Sequence, residues 1–221
     1  MKNEAIKKFT VLGILFIFPI VIYLFLSSGI NNFARLPILT ESVDEITSWD
    51  TLADASHQLQ DNITVLGFWG SDLDQRKGDA FNLNQKIYKR FYQFDDFQFV
   101  MAVEKGQEDK IQSILADLES GVGTDLVKWK FILGSPAEIQ SLFSSLKSDV
   151  QLNEKNSTST VFIIDRKRKL RGRDDDEDVG TLFGYNTSSV AELNSKMTDD
   201  VKVILAEYRL ALKKNNSNRA K

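Results

Sequence analysis

A chain of 221 residues, 42% hydrophobic and 27% charged, holds enough apolar material for one ordinary domain plus an anchor or tail, which excludes a disordered or collagen-like polymer. Its 28 Lys and Arg against 31 Asp and Glu give a formal charge of −3, and no basic stripe is interleaved with aromatics, so nucleic-acid binding is not expected. With no cysteine the chain has no disulfide, thiol nucleophile, thiolate metal site, CxxC chemistry, thiol redox partner or lipoprotein anchor, and its one histidine excludes two-histidine metal sites and a Ser-His-Asp triad with a spare histidine.

From Thr10 to Leu26 no residue is charged, and the run VLGILFIFPIVIYLFL has about the length of a single membrane span. Pro19 inside it is compatible with a spanning helix, where local adjustments re-satisfy the freed backbone groups. Lys2, Lys7 and Lys8 precede the run and Arg35, Glu41, Asp44 and Glu45 follow it. The positive-inside rule then predicts a cytoplasmic stretch over 1–8, an anchor over 9–28 in the inner membrane, and a periplasmic or extracellular globular part. The competing reading is a cleaved signal peptide, for which the apolar run is long.

Residues 29–60 contain Pro37 and no sustained period, and read as a tether and lead-in with room for a short hairpin. Ile63–Trp69 (ITVLGFW) is an apolar run of the kind found in a strand buried on both faces. SDLDQRKGD breaks it as a charged loop, and Ala80, Leu83, Ile87 and Phe91 then mark one helical face. Phe97–Val103 is a second buried strand, and 107–120 a helix with Ile111, Ile114, Leu115 and Leu118 on its stripe and Gly121 and Gly123 as stop signals.

Lys128–Leu133 is a third strand. It leads to Ser135-Pro136-Ala137-Glu138, which spells a helix start: a hydroxyl cap, a proline at the first position and a capping-box glutamate. Ile139, Leu142, Phe143 and Leu146 form that helix's apolar face. Thr160–Ile164 is a further buried strand, Asp165–Arg168 a turn, and 169–173 an antiparallel edge strand. Val190 to Leu212 carries a last amphipathic helix, with Ser189 and Glu192 suited to a capping box, and the polar end of the chain, 215–221, reads as a disordered tail.

The order β-α-β-α-β-α, then β-β, then α predicts a three-layer α/β domain of thioredoxin-like outline over 61–214. With VLGFWG in the first strand, FILGSPAEIQSLF and STSTVFIIDRKRKLRGR in that order, the chain resembles the SCO/SenC family of membrane-anchored, thioredoxin-fold proteins of copper delivery to cytochrome oxidase. The resemblance covers most of 62–173. It implies copper ligands in a CxxxC after the first strand and a histidine before the penultimate one, since thiolates and imidazole suit copper. The matching positions here are approximately Leu73, Lys77 and Ser157, none of which is such a ligand. The resemblance thus implies the fold, the anchor and the periplasmic address, and argues against the family's copper and thiol activities.

Other candidates are weighed against ordinary roles. His57 has no companion ligand and reads as a surface or hydrogen-bonded histidine. Asp174, Asp175, Asp176, Glu177 and Asp178 offer oxygen ligands for Ca²⁺ or Mg²⁺, but lack EF-hand spacing and read first as a solvated loop or a contact surface for a basic partner. Asp72, Asp74, Arg76, Lys77 and Asp79 hold the residue types for acid–base chemistry, or are a self-compensating charged loop with Asp72 or Asp74 as a helix cap. Trp69, beside the lost site, and Phe91, Tyr92, Phe94, Phe97 and Phe99 read as packing residues. The expectation is a non-catalytic, cofactor-free membrane protein acting by protein contact in respiratory-complex or envelope assembly. Its alternatives are a hard-metal module over 174–178 and an enzyme using 72–79.

Overall fold

The computed structural model describes residues 2–27, 35–52, 55–122 and 125–219. The chain falls into two compact units, residues 1–34 and 35–221. The first is the helix α1, Lys2–Ser27, with Pro19 in its interior. Its apolar side chains from Val11 to Leu24 are exposed. Among the described residues no helix is long and apolar enough to cross a membrane. The side chains described on α1 are those of Lys7 and residues 11–24, so the anchor expected over 9–28 lies partly outside them.

The second unit opens with two short strands, β1 (Ile38–Thr40) and β2 (Asp50–Thr51). They do not form the hairpin for which the lead-in had room. β1 pairs antiparallel at one edge of the main sheet and β2 at the other, so the lead-in spans the width of the sheet. The central strands follow: β3 (Ile63–Gly70), β4 (Phe97–Glu104), β5 (Trp129–Gly134), β6 (Thr160–Ile164) and β7 (Leu170–Arg171). β3, β4 and β5 run parallel, while β6 lies antiparallel to β3 and β7 antiparallel to β6. The order across the sheet is β1-β7-β6-β3-β4-β5-β2. The strand expected at the edge over 169–173 is therefore internal, shortened to two residues and covered by β1.

Both faces of the sheet are packed, which is why its strands read as unbroken apolar runs. Ile63, Val65 and Trp69 of β3, with Phe97, Phe99 and Met101 of β4, point into one core. Leu66 and Phe68, with Val100 and Ala102, point into the other. The helices on the first face include α2 (Leu73–Leu83), α3 (Lys89–Phe91) and α4 (Glu108–Val122). On the second face α5 (Pro136–Ser145) lays down Ile139 and Leu142.

Two of these helices differ from the pattern. α2 begins at Leu73, seven residues before the periodic face at Ala80, and a π-helical turn over Asn84–Tyr88 interrupts it. That turn brings Asn84 and Tyr88 into the interior, where Asn84 Oδ1 accepts Trp129 Nε1–H (3.3 Å) and Tyr88 O–H donates to the Asp125 carbonyl (2.6 Å). α4 runs through Gly121 to Val122, and Gly123 lies outside the described residues. The start of α5 forms as read: Glu138 N–H donates to Ser135 Oγ, and Ser135 N–H donates to Glu138 Oε2 (2.7 Å). Ser135→Ala is expected to cost about 1 kcal/mol, measured as a shifted denaturant midpoint at constant slope.

Beyond β7 the chain forms a separate ribbon, β8 (Arg173–Asp176) against β9 (Gly180–Leu182), then β10 (Tyr185–Asn186), which pairs with β6. The single helix expected over 190–212 is α6 (Val190–Glu192), a π-helical turn over Leu193–Met197, and α7 (Thr198–Arg219). Half of its capping box forms: Ser189 Oγ accepts Glu192 N–H, but Glu192 Oε1 instead accepts the N–H of Asn186 (2.8 Å). α7 continues to Arg219, through most of the stretch read as a disordered tail. Its sequence is rich in good helix formers through residue 214, which carries the helix past its packed face.

Candidate functional site

Two of the positions that the resemblance points to, Leu73 and Lys77, follow the end of β3. Gly70 has φ +49°, and a Cβ there would overlap the backbone carbonyl of Lys155. The absence of a side chain lets the loop over 153–157 close onto the strand end, where Ser71 N–H donates to the Lys155 carbonyl (3.1 Å) and Thr158 N–H to that of Phe68 (2.9 Å). Within the loop, Asn153 Oδ1 accepts the N–H groups of Lys155 (2.9 Å) and Ser157 (3.0 Å), and Asn156 adopts φ +54°.

Asp72 is the residue before α2, but its side chain makes no cap bond to the helix. It turns to the loop instead, where Lys155 Nζ donates to Oδ1 at 2.8 Å and Asn153 Nδ2 to Oδ2 at 3.4 Å. Burial pushes the Asp72 carboxyl up. The hydrogen bond and charge of Lys155, with Asn153 and Arg76 behind them, outweigh that and hold it below the ordinary value. A second polar chain adjoins it: Gln140 Nε2–H donates to Asn156 Oδ1, and Asn156 Nδ2–H to Glu104 Oε1, both at 2.9 Å.

The three positions matching the family's ligands are held in other ways. Leu73 is fully buried in the first turn of α2. Lys77 points to α4, where its ammonium pairs with Asp117 (2.5 Å). Ser157 is 1% exposed, and its Oγ has no hydrogen-bond partner among the described residues. A hydrocarbon, a committed ammonium and one hydroxyl do not fit copper, and no step through that metal is derived. Trp69 packs against Trp129 and Phe131, with ring centroids 5.9 and 5.8 Å away.

The charged stretch 72–79 is not a loop. Because α2 starts at Leu73, its side chains radiate from a helix to different partners. Asp74 pairs with Lys110 (2.7 Å), Arg76 with Asp79 (2.6 Å), and Asp79 also accepts the hydroxyl of Ser188 (2.9 Å). The partners of Asp72, Asp74 and Asp79 outside α2 come from three different segments, Lys155, Lys110 and Ser188.

The acidic run 174–178 occupies the β8–β9 ribbon, and strand alternation splits its side chains between two faces. Asp176 turns inward, accepting from Lys196 Nζ (2.7 Å) and from Asp178 N–H (3.1 Å). Lys196 also donates to Asp178 (2.7 Å), so one ammonium bridges the two carboxylates. These contacts hold the Asp176 carboxyl below its usual range. Asp174, Asp175 and Glu177 remain exposed, and among the described residues no group of three His, Cys, Asp or Glu is set to hold a metal ion. His57 is partly exposed, and burial together with the charge of Lys130 lowers its pKa.

Gly70, Asn153, Lys155 and Asn156 are therefore the residues that build this end of the domain, and the sequence reading passed over them. The Asn-x-x-Asn spacing over 153–156 is the one local signal, since asparagine favours side-chain-closed turns and left-handed backbone. The site also has a pH signature. The contribution of Asp72 to stability is present above the ordinary carboxylate value of 3.8 and is lost as pH falls from there through the lower folded value. Asp72→Asn is expected to flatten the acid limb of stability below about pH 4, read by urea unfolding at each pH, while lowering stability at pH 7.

No family model matches this chain, and no curated protein matches its sequence. Solved structures do. A SCO1/SenC family lipoprotein from Bacillus anthracis str. Ames is similar with a TM-score of 0.54 at 15% identity, over 78% of this chain and 99% of that one. A candidate protein disulfide isomerase from Bacteroides thetaiotaomicron is similar with a TM-score of 0.52 at 12% identity, over 78% of this chain and 95% of that one. Likeness at these identities is one of fold: the chain has the thioredoxin-like α/β fold, and the resemblance read from the order of its motifs is met by a structure of the SCO1/SenC family.

Proposed function

We propose that this chain is a membrane-anchored, non-catalytic thioredoxin-like protein that acts by contact with other proteins in the assembly of a respiratory complex or another part of the cell envelope. The observation that carries the reading is the site itself. A fold shared with a SCO1/SenC family lipoprotein and a candidate disulfide isomerase has no cysteine, and Leu73, Lys77 and Ser157 stand where the family's ligands are expected. The Asp72–Lys155 pair and the close approach of the loop over 153–157 to Gly70 instead close that end. A closed end without thiol or imidazole suits recognition better than turnover.

Three features support the anchor. α1 is continuous from Lys2 to Ser27. Its described apolar side chains face outward on every side, as a helix in lipid requires. Lys2, Lys7 and Lys8 stand at its start, which favours a cytoplasmic N-terminus and a periplasmic domain.

The test has two parts. Copper titration of the full chain in maltoside micelles, under reducing conditions and against a competing chelator, is expected to show no stoichiometric binding. Tight one-to-one binding overturns the lost-site reading. Affinity capture of the tagged chain from solubilised host membranes is expected to recover respiratory or envelope-assembly proteins above an untagged control, and recovery of none sinks the assembly role.

A further inference from the structure

A groove opens at the end of the domain away from Asp72, where β4 begins and where β6, running the other way, finishes. Its larger lobe, of about 600 Å³, lies between the turn over 93–96, Arg166 and α7. A smaller lobe of about 180 Å³ adjoins it, lined by Phe91, Lys202 and Ala206, and the two lobes share Phe94, Leu205 and Arg209. The walls are firm. Lys128 Nζ donates to the carbonyls of Phe94 and Asp95, the latter at 2.9 Å, which fixes the turn. Arg166 bonds Asp96 at 3.3 Å and stacks over the Tyr208 ring, 5.8 Å from its centroid.

Most of the charge lining the groove is already matched: Arg166 by Asp96, and Lys202 by Asp199 at 2.8 Å. Two opposite charges are left, the Arg209 guanidinium and the Asp95 carboxylate. Both are exposed, both line the larger lobe, and neither has a partner among the described residues. A simple anion would meet Arg209 but also face Asp95 and Asp96, and a simple cation would meet the reverse. A ligand carrying both charges leaves neither opposed. Phe94, exposed and shared by both lobes above a nearly buried Leu205, adds apolar surface for a hydrocarbon segment.

We infer that this groove binds a zwitterionic amphiphile with an ammonium–phosphate headgroup and an apolar tail, the chemistry of an aminophospholipid. The phosphate meets Arg209, the ammonium meets Asp95 near the aromatic faces of Phe94 and Tyr208, and the tail runs along Phe94 and Leu205 into the smaller lobe. The inference is independent of the missing copper ligands, which lie at the other end of the parallel strands.

The experiment is calorimetric titration of the full chain in maltoside micelles with soluble dihexanoylphosphatidylethanolamine, empty micelles serving as the blank. Saturable one-to-one binding is expected. Arg209→Gln and Asp95→Asn, both at exposed positions that leave the fold intact, are each expected to weaken it about fivefold, the upper range for one solvated ion pair. Dihexanoylphosphatidylglycerol, which lacks the ammonium, is expected to bind more weakly to the unaltered chain, and Asp95→Asn to erase that difference. Phe94→Ala is expected to weaken the lipid without changing the affinity for free phosphoethanolamine. Equal binding of the two lipids, or variants that bind like the unaltered chain, overturns the inference. Free phosphoethanolamine binding as tightly as the lipid overturns the lipid as the source.

Discussion

Arg171→Met is expected to destabilise the domain by about 3–5 kcal/mol. The guanidinium is 4% exposed and makes four bonds: Nε and Nη2 to the carbonyl of Leu36 (2.8 and 2.5 Å), Nη1 to Asp165 Oδ2 (3.0 Å) and Nη2 to Glu207 Oε2 (2.7 Å). It thus ties the start of the second unit, the β6–β7 turn and α7 together. Asp165 is 1% exposed, and its other oxygen already accepts the N–H groups of Lys167 and Lys169. Removing Arg171 leaves that charge buried without a counter-ion.

Asp165→Asn in the same chain removes the stranded charge, so the double variant is expected to be more stable than the sum of the two single changes by at least 1 kcal/mol. Additivity within 0.5 kcal/mol on the urea midpoint, a margin set by such cycles, would show that the pair is not coupled. Arg171→Lys is not a conservative change, because an ammonium cannot reach three acceptors in the fixed fork of a guanidinium.

Gly70→Ala is the second large effect, expected at about 2–4 kcal/mol. Two costs combine. A residue with a Cβ resists φ +49°, and the added carbon has to displace the carbonyls of Lys155 and Asn156, which are backbone and cannot swing aside. The damage is expected to be local: hydrogen exchange should accelerate at Ser71 and Thr158, whose N–H groups bridge β3 and the loop over 153–157, while the centre of β4 stays protected. Uniform acceleration across the sheet would show that the strand end and the loop do not form a separable latch.

The same two residues show what a linear reading can reach. The central strands were legible because each is buried on both faces, so apolarity continues without regard to side-chain direction. β3 over Ile63–Gly70 and β6 over Thr160–Ile164 are the clearest cases. The α5 start was legible because a capping box is a contact among four neighbouring residues. Gly70 carried no such mark. Its need for a bare backbone comes from Lys155, far along the chain, and a glycine in a strand pattern says only that something comes close.

The charged segments were legible only as charge. Asp72–Asp79 and Asp174–Asp178 hold the residue types of sites as neighbours in sequence, and a helix and a strand send neighbours to different faces. Lys110, Asp117, Lys155 and Lys196, the partners that neutralise them, come from other elements. Likewise, the groove of Asp95 and Arg209 joins the turn before β4 to α7, two segments with no shared sequence signal.

By itself the sequence determined the order of the central strands and the helices between them, the two-faced sheet, the absence of thiol chemistry and the apolar start, because composition and periodicity are local quantities. Only the tertiary structure decided the placement of β1 and β2 on opposite edges, the Asp72–Lys155 closure and the Arg171 tie. Each of these depends on an approach between distant segments, and charge pairing and close contact at such distances leave no period in the chain.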